Sequence, residues 1–248
     1  MIRAIVSSND NPMYLDFWPI VAKVWKSFGI QPTLAYIGKR DAIFDSIDKT
    51  IGDVYQFESL CNTSENVSDA LYAQCVRLLL PVAFPNDTCI VSDIDIIPMN
   101  KKFFLDPMKL PLDTFINYNS NHPDCPDDQI MMCYVAATGK TFSEIFGAKT
   151  TLDIPAIVSK WNTMYNGEKK WFTDQLNLHK HVGLWLQKND NNIKRYKQLG
   201  LYNTEVRIDR ENWGYDEQLV KDGFYMDAHC LRPYKENKEE IDKLINLL

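Results

Sequence analysis

The sequence predicts an α/β fold with a mostly parallel central sheet flanked by helices on both faces. Three observations predict it. Short, β-prone apolar runs such as residues 2–6, 33–37 and 89–91 alternate with longer stretches whose apolar residues recur at helical spacing. Cys89, Ile90 and Val91 are apolar without alternation, as a strand buried on both faces in the middle of a parallel sheet must be. No internal repeat, low-complexity segment or linker interrupts the 248 residues, a length that one large domain can fill.

Composition narrows the classes further. With 45% hydrophobic, 24% charged and 12% aromatic residues the chain is globular, and there is ample material for one core. A net charge of −6 with no dominant Lys/Arg stripe argues against nucleic-acid binding, so any phosphate-binding charge has to be local. Cys61, Cys75, Cys89, Cys125, Cys133 and Cys230 match neither a zinc-site spacing nor a compact disulfide framework, and are expected to be reduced. No signal peptide or membrane anchor is visible, so three Asn-x-Ser/Thr acceptor patterns are expected to be inert and the compartment to be cytoplasmic.

In chain order, residues 2–6 read as the first strand, followed by a polar loop over residues 7–12. Tyr14, Phe17, Ile20, Val21, Val24, Trp25 and Phe28 then recur at helical spacing until Gly29 ends the helix. Residues 33–37 and 54–57 read as the second and third strands. Ser68 is a good N-cap for a helix with Leu71, Cys75, Leu78 and Leu79 on its apolar face, and Pro81 interrupts it. Arg77 sits inside that otherwise apolar helix.

After the strand at 89–91 come Asp93 and Asp95. Strand period two would point both carboxylates one way with Ile94 opposite, at the carboxyl end where such sheets hold ligands. Paired acids there are costly to keep charged unless a cation meets them, and a hard divalent cation that also bridges phosphate oxygens is the usual one.

Residues 114–117 and 130–137 read as two more strands, separated by a polar loop with His122, Asp124, Asp127 and Asp128. The segment ending Gly139-Lys140-Thr141 is not a phosphate-binding P-loop, because the glycine that pattern needs is replaced by Tyr134; Thr141 reads instead as the start of a helix. Residues 154–165 form a further helix with Pro155 in its first turn. Asp174 and Gln175 fall at the start of the next one. Residues 224–226 read as a short strand before His229, Arg232, Pro233 and Tyr234, and residues 235–248 as a charged amphipathic helix.

Asp93-Ile94-Asp95 after an apolar strand resembles the Asp-x-Asp motif of GT-A fold glycosyltransferases. The run Arg77-Leu78-Leu79-Leu80-Pro81 ahead of it and His229 to Tyr234 after it resemble the order found in the glycogenin-like members, with Arg232 for the family's Lys, Tyr234 for its Trp and no Gly after the His. The resemblance implies a single domain: residues 1–100 as a nucleotide-binding half ending in the motif, 101–234 as a sugar and acceptor half, and 235–248 as a C-terminal helix. It implies a metal held by Asp93, Asp95 and His229, manganese suiting mixed oxygen and nitrogen donors better than magnesium. It implies Ser8, Asp10 and Tyr14 around the base and ribose, Arg77 and Asp93 around the donor, Arg232 on the diphosphate, and Asp174 and Gln175 beside the transferred sugar. The activity implied is transfer of a sugar from a nucleotide sugar, most often a UDP-sugar, to an acceptor hydroxyl on a glycan or other molecule, with retention. A microbial or virus-encoded source, and for the latter the host cytoplasm, is equally consistent. Two other classes stay open. A nucleotidyltransferase would need a Gly-rich basic loop after the first strand, which residues 7–12 lack; a non-catalytic carbohydrate-binding or interaction module would leave the acidic pair, Arg77 and His229 without a role.

Overall fold

The computed structural model describes residues 1–188 and 195–248. A seven-stranded sheet forms its centre. The strands are β1 (Ile2–Asn9), β2 (Gln31–Ile37), β3 (Asp53–Phe57), β4 (Thr88–Val91), β6 (Phe115–Asn117), β7 (Val135–Thr138) and β8 (Tyr196–Gln198), in the order β3-β2-β1-β4-β7-β6-β8. β1 to β4 are parallel to one another, β7 runs against both β4 and β6, and β8 is parallel to β6. The central strand predicted at 89–91 therefore has one parallel and one antiparallel neighbour. β5 (Ile96–Pro98), β9 (Arg207–Asp209) and β10 (Asp227–His229) form a second, small sheet in the order β5-β10-β9, of which the sequence announced only one strand.

Period-two alternation divides the core. Ala4, Val6, Leu34, Tyr36, Ile90 and Ala136 face one apolar cluster, shared with Val21 and Trp25 of α2 (Trp18–Ser27), Phe104 of α5 (Lys101–Leu105) and Ile241 and Leu244 of α10 (Lys238–Ile245). Ile5, Ala35, Ile37, Cys89, Val91 and Val135 face the other, made by α4 (Asp69–Leu79), α6 (Gly139–Phe146), α7 (Ile154–Asn162) and α8 (Thr173–Gln187). The sheet thus carries helices on both faces, and the C-terminal helix is part of the core. Two short helices, α3 (Ala42–Ser46) and α9 (Glu217–Lys221), lie in the connections from β2 to β3 and from β9 to β10.

Several boundaries differ from the sequence reading. β1 continues to Asn9, because residues 3–9 pair in register with residues 31–37 of β2; Ser7 and Ser8 are strand residues and not loop residues. The first helical run is two helices, α1 (Pro12–Leu15) and α2, since Pro19 has no N–H to donate and its ring collides with the carbonyl one turn back. Gly29, at φ 78°, ends α2 as expected. Residues 130–134 are not strand: this apolar stretch reaches β7 as a buried loop, with Asn119 donating to the Cys133 carbonyl at 2.6 Å. The N-cap of α6 is Thr138 and not Thr141, its hydroxyl accepting from the Thr141 N–H at 3.2 Å. Strand β10 lies at Asp227–His229, three residues later than the predicted 224–226.

Candidate active site

The carboxyl ends of β1 and β4 open on one side of the sheet, where α/β sheets hold ligands. A cavity of about 330 Å³ lies there. Ser7, Ser8 and Asn9 enter it from β1, Tyr14 from α1, Gln74 and Arg77 from α4, and Asp93 and Asp95 from the turn after β4. Met131 to Cys133, Trp171, Asp174 and Gln175 close the far side, and Arg210, His229 and Arg232 come from the ends of β9 and β10 and the chain beyond.

Two charged clusters organise the wall. In the first, Arg77 is buried and joins two acids: Nη1 pairs with Asp93 Oδ1, and Nη2 lies 3.1 Å from Asp174 Oδ2. Asp174 is 2% exposed, and burial raises its pKa from the ordinary carboxylate value while Arg77 works in the opposite direction. Asp174 Oδ1 also accepts from the Gln175 N–H at 2.9 Å, and Gln175 Oε1 is buried with no hydrogen-bond partner among the described residues. In the second cluster Asp95 is the centre. Its Oδ2 lies 2.9 Å from Arg210 Nη2, 3.6 Å from Arg232 Nη1 and 3.8 Å from His229 Nε2. His229 Nδ1 stands 3.1 Å from Asp209 Oδ2, which fixes the ring plane. Arg232 Nη1 donates to the Tyr14 hydroxyl at 2.6 Å, with the guanidinium 5.1 Å from the Tyr14 ring centroid.

β10 is itself anchored from below. Asp227 is fully buried, accepts from the Tyr134 hydroxyl at 2.6 Å and has Arg207 Nε 3.1 Å from its other oxygen. The backbone that carries His229 is thus tied to the start of β7.

Of the residues the sequence singled out, Ser8, Tyr14, Arg77, Asp93, Asp95, Asp174, Gln175, His229 and Arg232 all line this cavity. Asp10 does not: it is exposed just beyond β1, while Asn9 and Asn11 line the wall, and Asn11 is the cap of α1, accepting from the Met13 N–H at 3.0 Å. Asp93 and Asp95 face the same cavity from a turn rather than a strand end. Of the expected metal ligands, Asp93 pairs with Arg77, and Asp95 lies beside His229 and two guanidinium groups. Among the described residues no group of three or more His, Cys, Asp or Glu side chains could hold a metal ion. Arg210 and Asp209 were missed. The alternation of Val206 and Ile208 with Arg207 and Asp209 is the signal of a short strand ending beside them.

Three arginines and three carboxylates line this cavity and pair with one another, so its wall is charged and rich in hydrogen-bonding groups. The fold around this cavity is the GT-A glycosyltransferase fold. The chain is similar to the solved galactosyltransferase LgtC in complex with donor and acceptor sugar analogs, at 12% identity and a TM-score of 0.50, over 100% of this chain and 96% of that one. It is equally similar to an active-site Gln-to-Glu mutant of LgtC, at 12% identity and a TM-score of 0.50, over 98% of this chain and 96% of that one. No family model matches the sequence, and no curated protein does. Among the described residues no helix is long and apolar enough to cross a membrane.

Proposed function

We propose that the chain is a glycosyltransferase that moves a sugar from a nucleoside-diphosphate sugar, a UDP-sugar in the first instance, to an acceptor hydroxyl with retention. The observation that carries this reading is the convergence of Asp93 and Asp95 with His229 and Arg232, which are far apart in sequence, on one cavity at the carboxyl ends of β1 and β4. The similarity in fold to a galactosyltransferase solved with donor and acceptor sugar analogs supports it.

In this reading Ser8, Asn9 and Tyr14 surround the nucleoside, and Arg232 faces the diphosphate. The bond between the anomeric carbon and the terminal phosphate oxygen breaks with its electron pair staying on the diphosphate, where the Arg232 guanidinium stabilises the growing charge. The sugar becomes oxocarbenium-like, and the acceptor oxygen forms the new bond to the anomeric carbon on the face the diphosphate leaves, passing its proton to the departing diphosphate oxygen. Gln175, with a buried and unpartnered Oε1 at the wall, is the group that meets the sugar hydroxyls or the cationic ring. Asp174, buried and paired with Arg77, positions Gln175 and Arg77 rather than reaching the sugar itself. LgtC likewise has a Gln in its active site, the one exchanged in the mutant.

Metal dependence is a separate part of the proposal and enters none of these steps. Asp95 and His229 are the two protein donors that face each other, and manganese is the better match for an oxygen and nitrogen pair. Calorimetric titration with UDP, GDP and their sugar conjugates, with manganese and again with EDTA, tests both parts. Binding of one nucleotide family supports the donor reading, and its loss on chelation supports the metal. Absence of binding to every nucleotide in both conditions moves the chain to the carbohydrate-binding class. Preference for a nucleoside triphosphate with a sugar phosphate moves it to the nucleotidyltransferases.

A further inference from the structure

We propose that Arg210 is a diphosphate-binding residue that closes with Arg232 on the two phosphates of the donor; the proposal rests on the reading of this cavity as a nucleotide-sugar site. Two guanidinium groups here meet one carboxylate. Arg210 Nη2 and Arg232 Nη1 lie 2.9 Å and 3.6 Å from the same oxygen of Asp95. The neighbouring acids are committed elsewhere, Asp93 to Arg77 and Asp209 to His229. One positive charge beside Asp95 is therefore left without a carboxylate of its own.

Arg210 shows the deficit at the level of atoms. Its Nε and Nη1 are buried and have no hydrogen-bond partner among the described residues. A guanidinium is a fork of five N–H donors with no acceptor, and leaving buried donors unmade is costly. Such donors persist where a ligand supplies the acceptors. What satisfies them is an anion with several oxygens set for a planar fork, and a second guanidinium alongside calls for a second anionic group attached to the first. A diphosphate has both.

The placement is also suitable. Arg210 follows directly on β9, which is paired along β10, so the guanidinium is carried from a sheet edge and reaches the cavity beside Asp95. Asp95 holds one terminal nitrogen of the fork, and Arg210 is among the residues that line the cavity. In this arrangement Arg210 supplies charge to the departing diphosphate in addition to that of Arg232.

The test is calorimetric binding of inorganic pyrophosphate, UDP, UMP and uridine to the wild-type chain and to Arg210→Gln. The substitution is expected to weaken pyrophosphate binding by about tenfold to a hundredfold, the range of a charged hydrogen-bonding pair. It narrows the preference for UDP over UMP by a similar factor and leaves uridine unchanged, which a merely structural effect would not do. Arg210→Lys keeps the charge opposite Asp95 but loses the fork, and falls between the two; if the Gln variant does not melt cooperatively, the Lys variant decides. Wild-type affinity for pyrophosphate and an unchanged UDP-to-UMP ratio in both variants overturn the proposal while leaving the glycosyltransferase reading intact. Arg210-dependent pyrophosphate binding in a chain that binds no nucleotide upholds the clamp and overturns the donor reading.

Discussion

Arg77 Nη2 lies 3.1 Å from Asp174 Oδ2, joining the interior of α4 to the first turn of α8 across 97 residues of sequence. Both side chains are nearly sealed from solvent, at 9% and 3% exposure, and the same guanidinium also holds Asp93 of the acidic turn. One arginine therefore sets the distance between the two walls of the cavity.

Removing it leaves a buried carboxylate without a counterion. Arg77→Met is expected to cost about 3–5 kcal/mol of stability, the range seen when one partner of a buried pair is deleted. Chemical denaturation measures it. A double change with Asp174→Leu recovers part of that loss, because the uncompensated charge goes with it, but it does not recover nucleotide-sugar turnover.

Asp174 makes a pH prediction whose sign follows from burial. Its folded pKa is raised, so the ionised form is the one that folding disfavours. Its contribution to stability is fully present below the ordinary carboxylate value and is lost as pH rises from there through the folded value. The stability of the wild type minus that of Asp174→Asn should accordingly fall with rising pH in the acid range and then level off. Melting curves across that range read it directly. A difference that grows with pH would mean that the pairing with Arg77 outweighs desolvation.

Tyr134 and Asp227 carry the second sheet. Tyr134→Phe takes one donor from a fully buried carboxylate and is expected to cost about 1–3 kcal/mol, measured as a drop in the denaturation midpoint. Because His229 stands two residues along the same strand, the variant should also raise the KM for donor more than it lowers kcat.

Gly139 begins α6 where the helix passes over the turn after α4. A Cβ there would collide with the carbonyl oxygens of Pro81 and Phe84, which are backbone and cannot swing aside. Gly139→Ala should destabilise by about 1–3 kcal/mol, the usual cost of overpacking. Gly147→Ala, where no atom lies within 4 Å, is the control, losing only what its positive φ costs a residue with a side chain.

The strands β1 to β4 were legible because their residues alternate or run apolar within a few positions, and such patterns report burial directly. Asp93, Asp95, His229 and Arg232 were legible as residue types in a recognisable order. Arg210 was not, because its role exists only once β9 lies beside β10, which brings it to Asp95 across 115 residues. The loop at 130–134 misled for a related reason: an apolar run is buried whether it is strand or loop, and only the hydrogen bond from Asn119 and the place of Met131 to Cys133 in the cavity wall show that it does not extend β7. Pro19 was a local signal, and it outweighed the helical periodicity around it.

The proposed glycosyl transfer has a direct readout, the release of nucleoside diphosphate from a panel of nucleotide sugars, measured with and without sugar acceptors. The wild type is expected to release the diphosphate from one donor, and an added acceptor hydroxyl to accelerate the release. Asp95→Ala and Arg232→Gln are expected to abolish it while still melting cooperatively. No release from any donor by the wild type, or undiminished release by Asp95→Ala, would contradict glycosyl transfer at this site.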